Sequence, residues 1–152
     1  MSENKKILGS DLKLIDLEYG CDLALTERKR TEIGKEKQFG DLETIECELN
    51  LGQAILSRLR TRKGELLELG YPDYGSRLCE LIGRPNNERT RELVKSITRN
   101  TLLQEARIKE ITDISIRTFK DDLSRIDIDI TVIPIESNIP LNIVYPFHLE
   151  VA

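Results

Sequence analysis

Apolar positions follow two different periods along this chain. Up to about residue 104 they recur every three or four residues, which is typical of amphipathic helices. After Arg107 they alternate, and the segment RIDIDITVIP places its apolar side chains on one face of a strand. The pattern predicts an α+β fold, in which about three helices pack on an antiparallel C-terminal sheet.

The three predicted helices precede the sheet. The first follows Asn50, which forms a capping pair with Gln53, and it runs to about Arg62. The second is short and covers about residues 74–82, ending before a glycine and a proline. The third starts near Asn87 and continues toward the sheet.

Three strands are predicted after the helices. The first two cover residues 111–119 and 125–134, with FKDDLS as the hairpin connection. The third covers residues 141–149 and contains Pro146. Because proline donates no backbone hydrogen bond, this strand is expected at an edge of the sheet or at a bulge.

The N-terminal 40 residues form an extension, partly extended or mobile, ahead of a domain at 41–150. Within it, alternating leucines around Gly20 are compatible with a hairpin or an extended arm over residues 11–26. Residues 27–37 are nearly all charged, which favours a solvated loop over a docking arm for an acidic partner.

Composition limits the classes of partner. The chain has 152 residues and a net charge of -4, so it has no general attraction for nucleic acid or anionic lipid. No apolar run approaches the roughly 20 residues that span a bilayer, and the N-terminus lacks the apolar middle of a signal peptide. We therefore expect a cytoplasmic protein with no nucleic-acid or membrane partner.

Few residues are suited to metal or cofactor chemistry. The odd set Cys21, Cys47 and Cys79 has no CxxC spacing, which predicts buried free thiols. His148 is the one histidine, so a site with two histidine ligands is excluded. Glycine-rich phosphate loops are absent from the sequence, and we expect no cofactor.

Catalysis by a pair of carboxylates stays open as an alternative. Acidic residues such as Glu65, Asp73, Glu80 and Glu105 are numerous enough for two of them to flank a glycosidic bond. The sequence does not single out any carboxyl group in an apolar pocket. A sheet with an open edge, which offers unpaired backbone groups to a partner strand, makes binding the favoured function.

A run from residue 49 to residue 111 resembles a known family. Its strongest parts are the QAI helix, the turn formed by Thr61, Gly64 and Glu65, the YGSRL segment at Tyr74–Leu78, and the alternating C-terminal strands. In order and spacing these are similar to the small baseplate wedge proteins of contractile phage tails, type VI secretion systems and extracellular contractile injection systems. The resemblance covers about residues 41–150.

The resemblance implies a structural role. Members of that family sit in the sixfold baseplate, bind the helical bundle of the two larger wedge subunits, and have a fold similar to the strand-exchanging domain of sheath proteins. The chain would then be a non-enzymatic component that joins the wedge to the first sheath ring and is incorporated into a virion or injection particle. Its partners would be the large wedge subunits and the sheath protein, with tube or hub proteins as further candidates.

The resemblance also assigns two sets of binding residues. A Glu-Pro-Arg motif thought to clamp the wedge bundle corresponds to Glu105, Ala106 and Arg107. With alanine in place of proline, the backbone does not require the helix to end before residue 106, and the helix is free to continue. The residues assigned to pairing with a sheath strand are Ile126, Ile128, Ile130, Val132, Ile143 and Tyr145.

Two alternatives remain beside this interpretation. Glu105 and Arg107 could form a surface ion pair, which contributes about 0–1 kcal/mol and no specific contact. Some members of the family have also been labelled lysozyme, so a muramidase-like glycosidase acting on peptidoglycan is the second function.

Overall fold

Residues 8–17, 20–32, 35–135, 137 and 139–150 are described by the structure, a computed structural model of the chain. It divides into two units, Met1–Gln53 and Ala54–Ala152, which are described separately below.

Three antiparallel strand pairs make up the described N-terminal unit. They are β1 (Ser10–Leu12) with β6 (Thr44–Glu46), β2 (Leu14–Leu17) with β3 (Gly20–Leu23), and β4 (Leu25–Glu32) with β5 (Lys35–Leu42). The hairpin predicted within residues 11–26 is confirmed as β2–β3. The solvated loop predicted for residues 27–37 was wrong, because β4 and β5 pair in continuous register there. Ladder hydrogen bonds come from the backbone, so a high charge content does not prevent pairing.

The three strand pairs meet at one junction. Lys13 N–H donates to the Glu43 carbonyl, Glu43 N–H donates to the Ala24 carbonyl, and Ala24 N–H donates to the Lys13 carbonyl, each at 2.8 Å. The Lys13 ammonium also lies 2.9 Å from the Glu43 carboxylate. This closed ring satisfies the backbone groups at the point where the chain leaves one pair and enters the next.

The first helix, α1 (Cys47–Arg60), begins earlier than predicted. Asn50 therefore lies inside the helix, and its predicted capping role was wrong. Its side-chain amide instead donates to the Leu8 carbonyl at 2.8 Å, while the Gln53 amide donates to the Leu12 carbonyl at 2.8 Å. The two amides attach the N-terminal segment to α1.

The second helix, α2 (Glu88–Leu102), starts where predicted. Its cap is Asn87, whose side-chain oxygen accepts from Thr90 N–H at 2.8 Å. The helix predicted at residues 74–82 is replaced by a short 3₁₀ helix at Leu78–Leu81. Residues 47–107 thus contain two α-helices rather than three, but the α+β class is confirmed.

The C-terminal sheet has three antiparallel strands, β7 (Ile108–Thr118), β8 (Arg125–Pro134) and β9 (Leu141–His148), in the order β7-β8-β9. The alternation of apolar and polar residues correctly predicted which face of the sheet is buried. Burial of the apolar side chains on that face supplies much of the stability of this unit. The buried apolar residues of β8 and β9 are Ile126, Ile128, Ile130, Val132, Ile143, Tyr145 and Phe147.

Candidate interaction site at the helix to strand junction

Helix α2 ends at Leu102 although no proline follows it. Successive turns replace the helical pattern, with Glu105 N–H bonded to the Leu102 carbonyl and Ile108 N–H to the Glu105 carbonyl. Ile135 N–H then donates to the Arg107 carbonyl at 2.9 Å, next to the first pair of the β7–β8 ladder. The expectation that alanine lets the helix continue was wrong, because turns follow Leu102 and the chain enters the sheet at Arg107.

The junction gathers three charged side chains. The Arg107 Nε donates to one Glu105 carboxylate oxygen at 2.7 Å, and the Arg58 Nη2 donates to the other at 3.4 Å. Only 8% of the Glu105 side chain is exposed, so this is a buried cluster and not a surface ion pair. Ala106, the middle residue of the motif, is exposed.

Burial alone would raise the pKa of the Glu105 carboxyl group. The hydrogen bond and charge of Arg107, helped by the charge of Arg58 and a backbone hydrogen bond from Arg107, outweigh that effect. The pKa of Glu105 therefore lies below its ordinary value, and the carboxylate is ionised at neutral pH. It holds the Arg107 guanidinium in one orientation, with a quarter of that side chain still exposed.

Arg58 lies on α1, 47 positions before Glu105, so sequence spacing alone does not connect it to the junction. Its guanidinium stacks over the ring of Tyr74, 4.5 Å from the ring centroid. Its Nε is buried and has no acceptor among the described residues. One long hydrogen bond and one ring contact leave most of the donors of this arginine unused.

The family-like motifs position Tyr74 under Arg58. Gly75 has a φ of +101°, and a Cβ there would come 2.7 Å from the Arg62 carbonyl oxygen, so only glycine fits. The adjacent Ser76 then pairs with the turn that begins at Thr61. Its N–H donates to the Thr61 carbonyl at 2.8 Å, and its carbonyl accepts from Lys63 N–H at 2.9 Å. This pairing also explains why residues 74–77 are not helical.

An open cleft of about 380 Å³ adjoins the cluster. We call it the Arg58 cleft; the residues that line it include Arg58, Tyr71, Asp73, Tyr74 and Gln104. It therefore combines two aromatic rings with the guanidinium of Arg58 and the amide of Gln104.

The predicted strand-pairing residues occupy two different positions in the sheet. Ile126, Ile128, Ile130 and Val132 belong to β8, the middle strand, which is already paired on both sides. Ile143 and Tyr145 belong to β9, which pairs only with β8 among the described residues. A partner strand can therefore add beside β9 or β7, but not beside β8.

The register of β9 shows which backbone groups face outward. Leu149 N–H donates to the Ser124 carbonyl. Along an antiparallel pair of strands, residue pairs that are hydrogen-bonded to each other alternate with pairs that are not. The same register continues through β8 and β9, so the odd-numbered residues of β9, Ile143 and Tyr145 included, direct their backbone groups at β8. The outward groups belong to Asn142, Val144, Pro146 and His148. Because residue 146 directs its backbone groups away from β8, the missing N–H of Pro146 removes no hydrogen bond from the β8–β9 ladder. This agrees with the edge position predicted for the strand.

The cysteines and the remaining described residues bear on the predictions about metal and membrane chemistry. Cys47 and Cys79 are free, as predicted, but each is half-buried and not buried. The described residues contain no group of three histidine, cysteine or acidic side chains placed to hold a metal ion. In the same part of the chain, no helix has the length and apolar character needed to cross a membrane.

Comparison with protein families gives a match over residues 22–137, to the contractile injection system sheath initiators. The chain belongs to this family. The matched range of this sheath initiator includes the β4–β5 hairpin, the Glu105 cluster and all of β7 and β8. A structural role in sheath assembly, within the baseplate of a contractile injection particle, follows from the family.

Among solved structures, a candidate tail lysozyme from Geobacter sulfurreducens is similar to this sheath initiator. The TM-score is 0.60 and the sequence identity is 26%, and the match covers 69% of this chain and 93% of that one. A search of curated proteins gave no significant match.

Proposed function

We propose that this protein links the wedge bundle of the baseplate to the first sheath ring and starts sheath assembly by pairing a sheath strand with its C-terminal sheet. Membership of the sheath initiator family supports the sheath side of this function. The observation that carries the pairing mechanism is the row of outward backbone groups along β9. Assembly would take place in the cytoplasm.

Strand β9 is the better of the two edges for a partner. Its pairing with β8 runs without a register shift over eight residue pairs, whereas β7 is interrupted between Ile108 and Glu110 and between Ile111 and Asp113. Bulges twist a strand and protect its edge against pairing. Along β9 only Pro146 lacks a backbone N–H donor. A sheath strand could therefore form most of the hydrogen bonds of a continuous ladder with this edge.

The proposed wedge contact is formed by Glu105, Ala106 and Arg107. The Arg107 guanidinium, on a side chain that is a quarter exposed, would bind carbonyl or carboxylate oxygens of the wedge bundle, while Glu105 holds it in place. Ala106 is exposed between them and would let the partner backbone approach closely. Tube or hub proteins are further candidate neighbours of the same particle.

Val144→Pro tests the pairing mechanism. It removes one outward donor and leaves the β8–β9 ladder intact, because Val144 directs its N–H away from β8. A backbone hydrogen bond contributes about 1 kcal/mol net, so sheath binding should weaken about fivefold. Binding is measured with purified sheath protein, and folding by urea titration.

Ile143→Pro is the matched control. Its lost donor faces β8, so the free energy of unfolding should fall by about 1–3 kcal/mol. If Val144→Pro bound sheath protein as tightly as the unmodified chain while remaining folded, pairing along β9 would be excluded.

A peptidoglycan glycosidase is the second candidate, because the similar Geobacter protein is described as a candidate tail lysozyme. A general acid of that chemistry needs a raised pKa. Every described carboxyl group with a shifted pKa, namely Glu80, Glu105 and Asp122, is shifted downward. Clearing of a peptidoglycan gel by the pure protein, abolished by one carboxyl substitution, would overturn the structural assignment.

A further inference from the structure

Large apolar side chains are exposed beside the Arg58 cleft. Tyr71 lines it and is 62% exposed, while Leu69 and Leu103, the chain neighbours of the lining residues Gly70 and Gln104, are 71% and 69% exposed. Scattered exposed leucines are common on proteins, but here they adjoin a cleft that contains an arginine. A desolvated arginine and aromatic ring surrounded by apolar contacts is the usual composition of an interface hot spot.

Arg58 supplies the specificity of this surface. Its side chain is 15% exposed. Among the described residues, its acceptor is a Glu105 oxygen at 3.4 Å, and its buried Nε has none. A buried donor without an acceptor is unfavourable, so this arginine is not fully satisfied within the chain. An anionic group of a partner would be attracted by the Arg58 charge and would accept charge-assisted hydrogen bonds from the guanidinium nitrogens that are not buried.

We infer that the Arg58 cleft receives a carboxylate side chain from a protein partner, flanked by apolar residues that cover Leu69, Tyr71 and Leu103. A carboxylate matches the planar guanidinium in charge and geometry, and the Gln104 amide offers a further donor at the wall. The Asp73 carboxylate also lines the cleft, but its side chain is 85% exposed and lies 3.8 Å from the Lys63 ammonium, so solvent and Lys63 screen its repulsion of an incoming anion. The inference rests on the proposed wedge function and adds a second contact beside Arg107.

Substitution of exposed leucines tests the apolar part of the proposed contact. Leu69→Ser and Leu103→Ser should each weaken binding to the co-expressed large wedge subunits at least tenfold. Leu123→Ser and Ile139→Ser are matched controls, because both side chains are 70% exposed and lie outside the cleft lining. These controls should change binding less than twofold.

The carboxylate half is tested on the full chain by NMR. Titration with N-acetylglutamate should shift the Arg58 Nε–H resonance, and the same concentration of N-acetylglutamine should not. Arg58→Lys, which keeps the charge but loses the planar fork, should abolish saturable shifts of the remaining cleft resonances and weaken wedge binding.

The outcomes separate the two proposals. If the unmodified chain binds no wedge subunit, the proposed function fails. If it binds, but Leu69→Ser and Leu103→Ser bind as tightly as the two controls, the cleft proposal alone fails. Equal shifts with the glutamate and glutamine derivatives would overturn the assignment of a carboxylate.

Discussion

Glu105→Gln removes the charge at the centre of the helix to strand junction while keeping the shape of the side chain. The unmodified carboxylate accepts from Arg107 at 2.7 Å and from Arg58 at 3.4 Å. A hydrogen bond to a charged group contributes about 1.5–3 kcal/mol, and the longer contact contributes less than the shorter one. Glutamine retains one acceptor oxygen, so the expected loss of unfolding free energy at pH 7 is about 2 kcal/mol, or roughly 4–8 °C in Tm.

The pH dependence of that loss identifies its cause. The pKa of Glu105 is lower in the folded chain than its ordinary value of 4.5. Its contribution to stability is therefore present above that ordinary value and disappears as the pH falls through the lowered folded pKa. The stability difference between the two proteins, measured by urea titration, should be largest near pH 7 and shrink below about pH 4.

Glu80→Gln is the matched control for this experiment. Glu80 also accepts two hydrogen bonds from an arginine, Arg77, each at 2.8 Å, and its pKa is also lowered. That pair is on the surface and is screened by solvent, so the substitution should not measurably change the unfolding free energy. An equal effect of the two substitutions, or a Glu105→Gln effect that is constant from pH 7 to pH 3, would refute the role of the buried cluster.

Three further substitutions test other parts of the structure. Thr98→Val removes a buried hydroxyl without a partner among the described residues and should raise the unfolding free energy by about 1 kcal/mol; a lower urea midpoint would contradict this. Gly75→Ala should destabilise the chain by more than Gly70→Ala, because only at Gly75 would the added Cβ meet backbone atoms; equal urea midpoints would refute the close contact with Arg62. Arg107→Ala should leave a folded protein that no longer co-purifies with the wedge subunits, and normal particle assembly would count against the proposed clamp.

The sheet was predictable because its signal is local and repeated. Four apolar residues at every second position in β8 leave one strand register that buries them all, and the structure has that register. Pro146 was equally informative, since a missing donor restricts a strand to an edge. The dry face, the edge strand and the fold class therefore followed from the sequence.

The remaining elements depend on contacts that no local pattern contains. The spacing of the apolar residues favours a helix at residues 74–82. Gly75, which has a positive φ and lies against the Arg62 carbonyl, prevents that helix from forming. Highly charged β4 and β5 pair through their backbones, so their side chains give little strand signal. Arg58 joins the site across 47 positions, and its role appears only when α1 and the junction are seen together.

Pairing of a sheath strand along β9 is the step on which the proposed function depends. A cryo-EM reconstruction of the assembled baseplate, resolved well enough to trace strands, would show whether it occurs. We predict a fourth strand from the first sheath ring beside β9, hydrogen-bonded to the outward groups of Asn142, Val144 and His148. A reconstruction in which that edge faces solvent, while the sheath attaches elsewhere, would contradict the claim.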